Sequence, residues 1–226
     1  RKIIVIESDD WGSIRMPSKE TYYALLKVGL RVDQCHYCKN DSIATVDDFN
    51  KLFNILLQFK DKNGNPPIIT ANSVVANPDF TKIKEVNYEK YFYEPITETL
   101  NKYPKTDFSL WKRGMELNIF LPQFHGREHL NIFRWMNKLK EGSKEVHTAF
   151  DYDFFGISTT ISNEKNPSFM AAYDADSEAE LIEMKKIIEQ GLSLINYIFK
   201  FSSKSFIAPN YILPKSLEPI LKSNGI

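Results

Sequence analysis

The chain has 226 residues, 42% hydrophobic and 26% charged, which is enough for one large α/β domain with a sizeable core. Its 29 basic side chains balance 29 acidic ones, so charge gives no reason to expect nucleic acid or an anionic membrane as partner. No apolar run approaches the ~20 residues that span a bilayer.

The first residues already read as a strand, Ile3 to Ser8, with no signal peptide ahead of them in the chain as given. The chain as given holds no transmembrane segment, and the location stays open: cytoplasmic, or extracytoplasmic after trimming upstream. A helix follows over Lys19 to Val28, closed by Gly29. Cys35 and Cys38 are the only cysteines and are spaced C-x-x-C. That spacing suits half a zinc knuckle, a redox pair, or two thiols in a loop, free or bridged. The lack of a second pair and of a thioredoxin-type βα turn favours the loop.

Thr45 caps a helix from Val46 to Lys60, with Phe49, Leu52, Phe53, Leu56 and Leu57 at helical spacing. Asn63-Gly64-Asn65-Pro66 stops it, and Pro67 to Ala71 reads as the next strand. Residues 77–95 read as irregular and aromatic, and Tyr88 to Tyr93 is the best stretch for a substrate groove. Helices are expected at Ile96 to Asn101 and Ser109 to Glu116, then a strand at Leu117 to Pro122 and a helix from Glu128 to Leu139. An insertion spans about Glu141 to Asp176, with a strand at Ser168 to Tyr173. Ser177 and Glu180 form a capping box for a helix running to Phe199. A strand at Lys204 to Ala208 and a helix at Leu217 to Lys222 complete the order.

Alternating strands and helices with short connections imply a mainly parallel sheet, where functional residues sit at strand ends. Three clusters lie there. Asp9-Asp10 puts two carboxylates at one strand exit, where one must be paired or bind a cation. Asp residues capping a turn would look the same. Trp11 beside them either lines a sugar subsite or packs under the loop. His125 and His129 lie at i and i+4, on one face of a helix or tight turn, a spacing suited to a divalent ion with open positions. Glu128 precedes the second histidine, so this is not H-E-x-x-H. Pro209-Asn210-Tyr211 makes a rigid turn whose backbone N–H groups can hold an oxyanion.

Asp9-Asp10, then H-x-x-x-H, then a strand ending in Ala208-Pro209-Asn210-Tyr211 resembles the NodB-like polysaccharide deacetylases. The longer signatures Ser8-Asp9-Asp10-Trp11-Gly12-Ser13 and Pro122-Gln123-Phe124-His125-Gly126-Arg127-Glu128-His129 look closest to an uncharacterised branch of the glycoside hydrolase/deacetylase superfamily. The resemblance implies an α/β fold: a distorted seven-stranded (β/α) barrel, one domain over residues 1–226, incomplete at its C-terminus. It implies Asp9 as general base and Asp10, His125 and His129 as ligands of one divalent ion. Zinc is expected, with cobalt, nickel or manganese as alternatives. Asn210 and Tyr211 would hold the oxyanion. The implied reaction removes acetyl groups from a carbohydrate; the sequence leaves the oligomeric state open.

Two features depart from the family pattern. Ile207 stands where the family carries an arginine that orients the base, and no late histidine follows to protonate the leaving group. His147 is the residue left to act as that acid. These departures suit a non-catalytic carbohydrate-binding relative that keeps the metal site. A glycoside hydrolase on the same barrel would need Asp9 paired with Asp151 or Asp153, about 5–9.5 Å apart.

Overall fold

The computed structural model describes residues 3–162 and 168–226. In chain order the first elements are β1 (Glu7–Trp11), α1 (Lys19–Lys27), α2 (His36–Asn40), α3 (Val46–Leu56) and β2 (Ile69–Ser73). Then come β3 (Ala76–Pro78), α4 (Phe80–Glu85), β4 (Tyr93–Pro95), α5 (Ile96–Lys102), α6 (Ser109–Glu116) and β5 (Phe120–Phe124). The rest is helical: α7 (Ile132–Lys140), α8 (Lys144–Phe150), α9 (Glu178–Phe199) and α10 (Glu218–Ser223).

The sheet that positions the site is parallel, with order β1-β2-β5. Its register sets Ser8 beside Ala71, and Ala71 beside Pro122. The three strands therefore end at one edge and deliver Asp9, Asn72 and His125 to the same place. On one side of the sheet an aromatic cluster joins Trp11, Phe49, Trp111 and Phe120, with Trp11 and Phe120 ring centroids 4.7 Å apart. Such edge-to-face contacts add to the apolar burial itself. Helix α9 lies close to β5 because Gly191 leaves room for the Phe124 ring; a Cβ there would stand 2.6 Å from Phe124 Cζ.

A seven-stranded (β/α) barrel does not form. The described residues hold the three-stranded parallel sheet and a separate antiparallel pair, β3-β4, with no closed barrel. Three stretches expected as strands account for the difference. Ile3, Ile4 and Val5 are exposed, and β1 begins only at Glu7. Over Ser168 to Tyr173 the backbone is held by the start of α7 instead of a sheet. The Asn131 N–H donates to the Phe169 carbonyl at 2.6 Å, and the Asn131 amide donates to the Ala171 and Asp174 carbonyls. Residues 163–167 of the expected insertion lie outside the described residues.

The third stretch, Lys204 to Ala208, pairs with β5 at one bridge only, Phe124 with Phe206. Side chains occupy the rest of that edge. Gln123 Oε1 accepts the Lys204 and Ser205 N–H groups at 2.8 and 3.0 Å, and Ser203 Oγ accepts the Phe124 N–H at 2.8 Å. Once a glutamine and a serine satisfy these groups, no ladder remains to extend.

Most helices match their expected positions, with Ser109–Glu116 and Glu178–Phe199 at the expected bounds. Helix α3 ends at Leu56, short of Lys60, and α7 starts at Ile132, past His129. Among the described residues no helix is long and apolar enough to cross a membrane.

Candidate metal centre

In a regular strand, adjacent side chains point to opposite faces, so Asp9 and Asp10 should diverge. They do not, because the β1–β2 register shifts between Ser8 and Trp11 and Asp10 has a left-handed backbone, φ 66°. Asp tolerates that conformation better than most residues. Gly12 follows at φ 83°, and a Cβ there would meet the Val74 carbonyl at 2.9 Å. The chain thus turns sharply at the strand exit and leaves both carboxylates lining one cavity of about 860 Å³.

The histidines arrive from β5. His125 is the first residue past that strand, and its N–H donates to the Ser73 carbonyl at 2.9 Å. Gly126, at φ 117°, reverses the chain so that His129 comes back beside His125 in a bend. The Arg127 carbonyl pins this bend to the start of β3, accepting the Val75 and Ala76 N–H groups at 3.0 and 2.7 Å. Beneath it Arg127 and Glu128 form a buried two-pronged ion pair, at 2.5 and 2.6 Å, with the guanidinium 4.2 Å from the Tyr93 ring centroid.

Asp10 Oδ1 lies 3.1 Å from His125 Nε2 and 3.2 Å from His129 Nε2. Ligands bound at about 2.0–2.1 Å from a zinc-like ion stand roughly 3.0–3.4 Å from one another, so the spacing fits one ion. Tautomers support the same reading. His125 Nδ1 is 2.8 Å from the Ile207 carbonyl, which can only accept, so Nδ1 carries a proton and Nε2 is the nitrogen left to bind an ion. His129 is almost fully buried; desolvation pushes its imidazole below its ordinary pKa and favours the neutral, ligand-competent form. Its Nδ1 is buried without a hydrogen-bond partner among the described residues. Burial alone would raise the Asp10 pKa, but hydrogen bonds from both histidines and the charge of Arg15 hold it well below the usual carboxylate range. Asp10, His125 and His129 thus form a candidate metal-binding set.

The second oxygen of Asp10 is taken by Arg15 Nη2 at 2.6 Å, which leaves Oδ1 as a single ligand atom. Asp9 is held apart from the set. Its Oδ1 accepts the Asn72 amide at 2.7 Å, and its Oδ2 accepts the Tyr211 hydroxyl at 3.2 Å. Neither Arg15 nor Asn72 stands out in the sequence reading. The available signals were an amide inside an apolar strand and a basic residue five positions after Asp10.

The other expected residues fall in several places. Asn210 and Tyr211 line the cavity, both with left-handed backbones. The Tyr211 N–H donates to the Ala208 carbonyl at 2.8 Å, while its ring is 81% exposed. Trp11 borders the cavity, with its ring against Phe49, Trp111 and Phe120. Tyr88 and Tyr91 pack against Phe150 and Trp135, and Tyr93 beneath Arg127. His147 bonds the Leu139 carbonyl and Asp151 pairs with Lys84, both away from the cavity, as is Asp153.

No protein-family model and no curated protein sequence matches the chain. A solved structure, IcaB from Ammonifex degensii, is similar over 98% of this chain and 82% of that one, at a TM-score of 0.35 and 8% identity. An overlap that loose leaves the reading of this chain to rest on its own residues.

Proposed function

We propose that the chain is a metal-dependent hydrolase that removes acyl groups, acetyl above all, from a carbohydrate. The observation that carries this reading is the convergence of three potential ligand atoms, with Asp10 Oδ1 3.1 and 3.2 Å from His125 Nε2 and His129 Nε2. With both Nε2 atoms free of a proton, that spacing suits a single divalent ion. Neutral imidazoles with one carboxylate suit zinc first, then cobalt, nickel or manganese.

A divalent ion held there lowers the pKa of a water toward ~7 and polarises an acyl oxygen. In this reading Asp9 takes the proton of the attacking water. Asn72 and Tyr211 hold both its oxygens, and so aim it without the arginine that Ile207 replaces. The exposed Tyr211 ring and the Asn210 backbone border the space where the acyl oxygen would gather charge. Water and an acetylated sugar give acetate and a free amine or hydroxyl.

Two measurements test this. Elemental analysis should find about one metal ion per chain, lost in His125→Ala. Acetate release from a panel of acetylated glycans should disappear in Asp9→Asn, which keeps the metal. A metal-free wild type under metal supplementation overturns the site. A loaded protein that binds glycans but releases no acetate indicates the carbohydrate-binding alternative, which Ile207 favours.

A further inference from the structure

The metal-centred reading makes no use of Cys35 and Cys38, yet they sit at the same cavity. Cys35 is half-buried in the cavity wall beside Arg15 and Tyr37, whereas Cys38 lies behind it, 1% exposed. Both are free thiols. Cys35 Sγ accepts the Cys38 N–H at 3.4 Å, which holds the two residues side by side. One sulfur is therefore open to a soluble reagent, and the second is reachable only through the first. That asymmetry is what thiol–disulfide exchange requires.

We propose that Cys35 and Cys38 form a thiol–disulfide exchange site in the cavity wall, its substrate a low-molecular-weight disulfide. The Cys35 thiolate attacks one sulfur of glutathione disulfide, forms a mixed disulfide and releases one glutathione thiolate, which takes up a proton. Cys38 gives up its proton and attacks the Cys35 sulfur, which expels the second glutathione. Two protein thiols are oxidised to one intramolecular disulfide, and one glutathione disulfide is reduced to two glutathiones.

The electrostatics agree with this division of roles. The hydrogen bond from Cys38 lowers the Cys35 thiol to about 6, with help from the charge of Arg15. The same hydrogen bond, together with burial, pushes the Cys38 thiol upward. The site also touches the metal centre through two contacts. Tyr37, between the cysteines, has its ring 5.4 Å from the Arg15 guanidinium, and Arg15 holds Asp10.

The test uses fully reduced protein incubated with glutathione disulfide, quenched in acid and read by intact mass and peptide mapping. Wild type should lose two hydrogens, with Cys35 linked to Cys38 and no glutathione retained, and dithiothreitol should reverse the change. Cys38→Ser should trap one glutathione on Cys35. Cys38→Ala repeats that trap without a buried hydroxyl. Cys35→Ser should retain no glutathione. Wild type that stays reduced, that keeps a glutathione, or that holds a disulfide dithiothreitol cannot open overturns the proposal. So does an adduct on Cys38 in Cys35→Ser.

Discussion

His125 points Nε2 at Asp10 Oδ1 from 3.1 Å, and its other nitrogen is committed to the Ile207 carbonyl at 2.8 Å. The ring cannot rotate without losing that backbone bond, so Nε2 stays aimed where an ion would bind. Removing the carbonyl's direction should therefore weaken metal binding. Ile207→Pro constrains the backbone beside that carbonyl while leaving all three ligands in place. We expect the metal dissociation constant to rise by roughly 10–100-fold, the range for outer-shell partners. Competition with a chromogenic chelator measures it.

In metal-free protein, His129 sets a pH dependence. Its folded pKa is lowered by burial, so the unfolded chain takes up a proton as pH falls through about 6.5 while the folded form resists. Stability should fall from about pH 6.5 downward to the lowered folded value. Asp10, with its folded pKa depressed, contributes stability that stays intact until the pH drops through the ordinary carboxylate value of about 4. Thermal melts of the stripped protein between neutral and mildly acid pH should show the first slope, and His129→Gln should flatten it.

Asn72 gives the sharpest test of how Asp9 is aimed. It is fully buried and donates to Asp9 at 2.7 Å. A hydrogen bond to a charged group contributes about 1.5–3 kcal/mol, so Asn72→Ala should lower kcat by roughly 10–100-fold with bound metal unchanged. Steady-state acetate release on the best glycan of the panel checks it; an unchanged kcat would show that Asn72 only fills space.

Gly126 tests the bend. Alanine there faces φ 117°, with its Cβ 3.2 Å from the Tyr173 hydroxyl and 3.3 Å from the Glu128 carbonyl. Strain of this kind costs about 1–3 kcal/mol. We expect Gly126→Ala to lower the denaturation midpoint and weaken metal binding together, because the same bend brings His129 to Asp10.

The Arg127–Glu128 pair beneath that bend separates packing from ligation. Both side chains are 4% exposed or less. Glu128→Ala leaves a buried guanidinium unpaired and should cost roughly 3–5 kcal/mol. The double change Arg127→Met with Glu128→Leu should recover much of that loss in a urea titration.

The ligand set at the sheet edge was legible in the sequence, though Asn72 and Arg15 beside it were not, because strand exits are read from short apolar runs followed by polar residues. Asp10, His125 and His129 converge as that reading expects. Helices with caps and clear periodicity, such as Ser109–Glu116 and Glu178–Phe199, matched as well. The sheet was over-read for a physical reason. An apolar run such as Ser205-Phe206-Ile207-Ala208 has the pattern of a strand, but its own Ser205 N–H is met by the Gln123 side chain and the Phe124 N–H of its neighbour by Ser203 Oγ. Side-chain substitution for a ladder leaves no periodic trace. Nor does a left-handed backbone at Asp10, which brings both carboxylates into one cavity and carries no marker beyond the tolerance of Asp for it.

Gln123 ties the distant segment 203–205 to β5, and the chain from that anchor carries both the Ile207 carbonyl and the Tyr211 hydroxyl. Sliding this segment by a single residue would move each of them by about 3.3 Å, beyond hydrogen-bond reach of His125 and Asp9. Ion capture at the candidate site should therefore be coupled to docking of residues 203–211. A cation taken up at His125 clamps a stretch of chain more than eighty positions later, and loosening that stretch would release the cation.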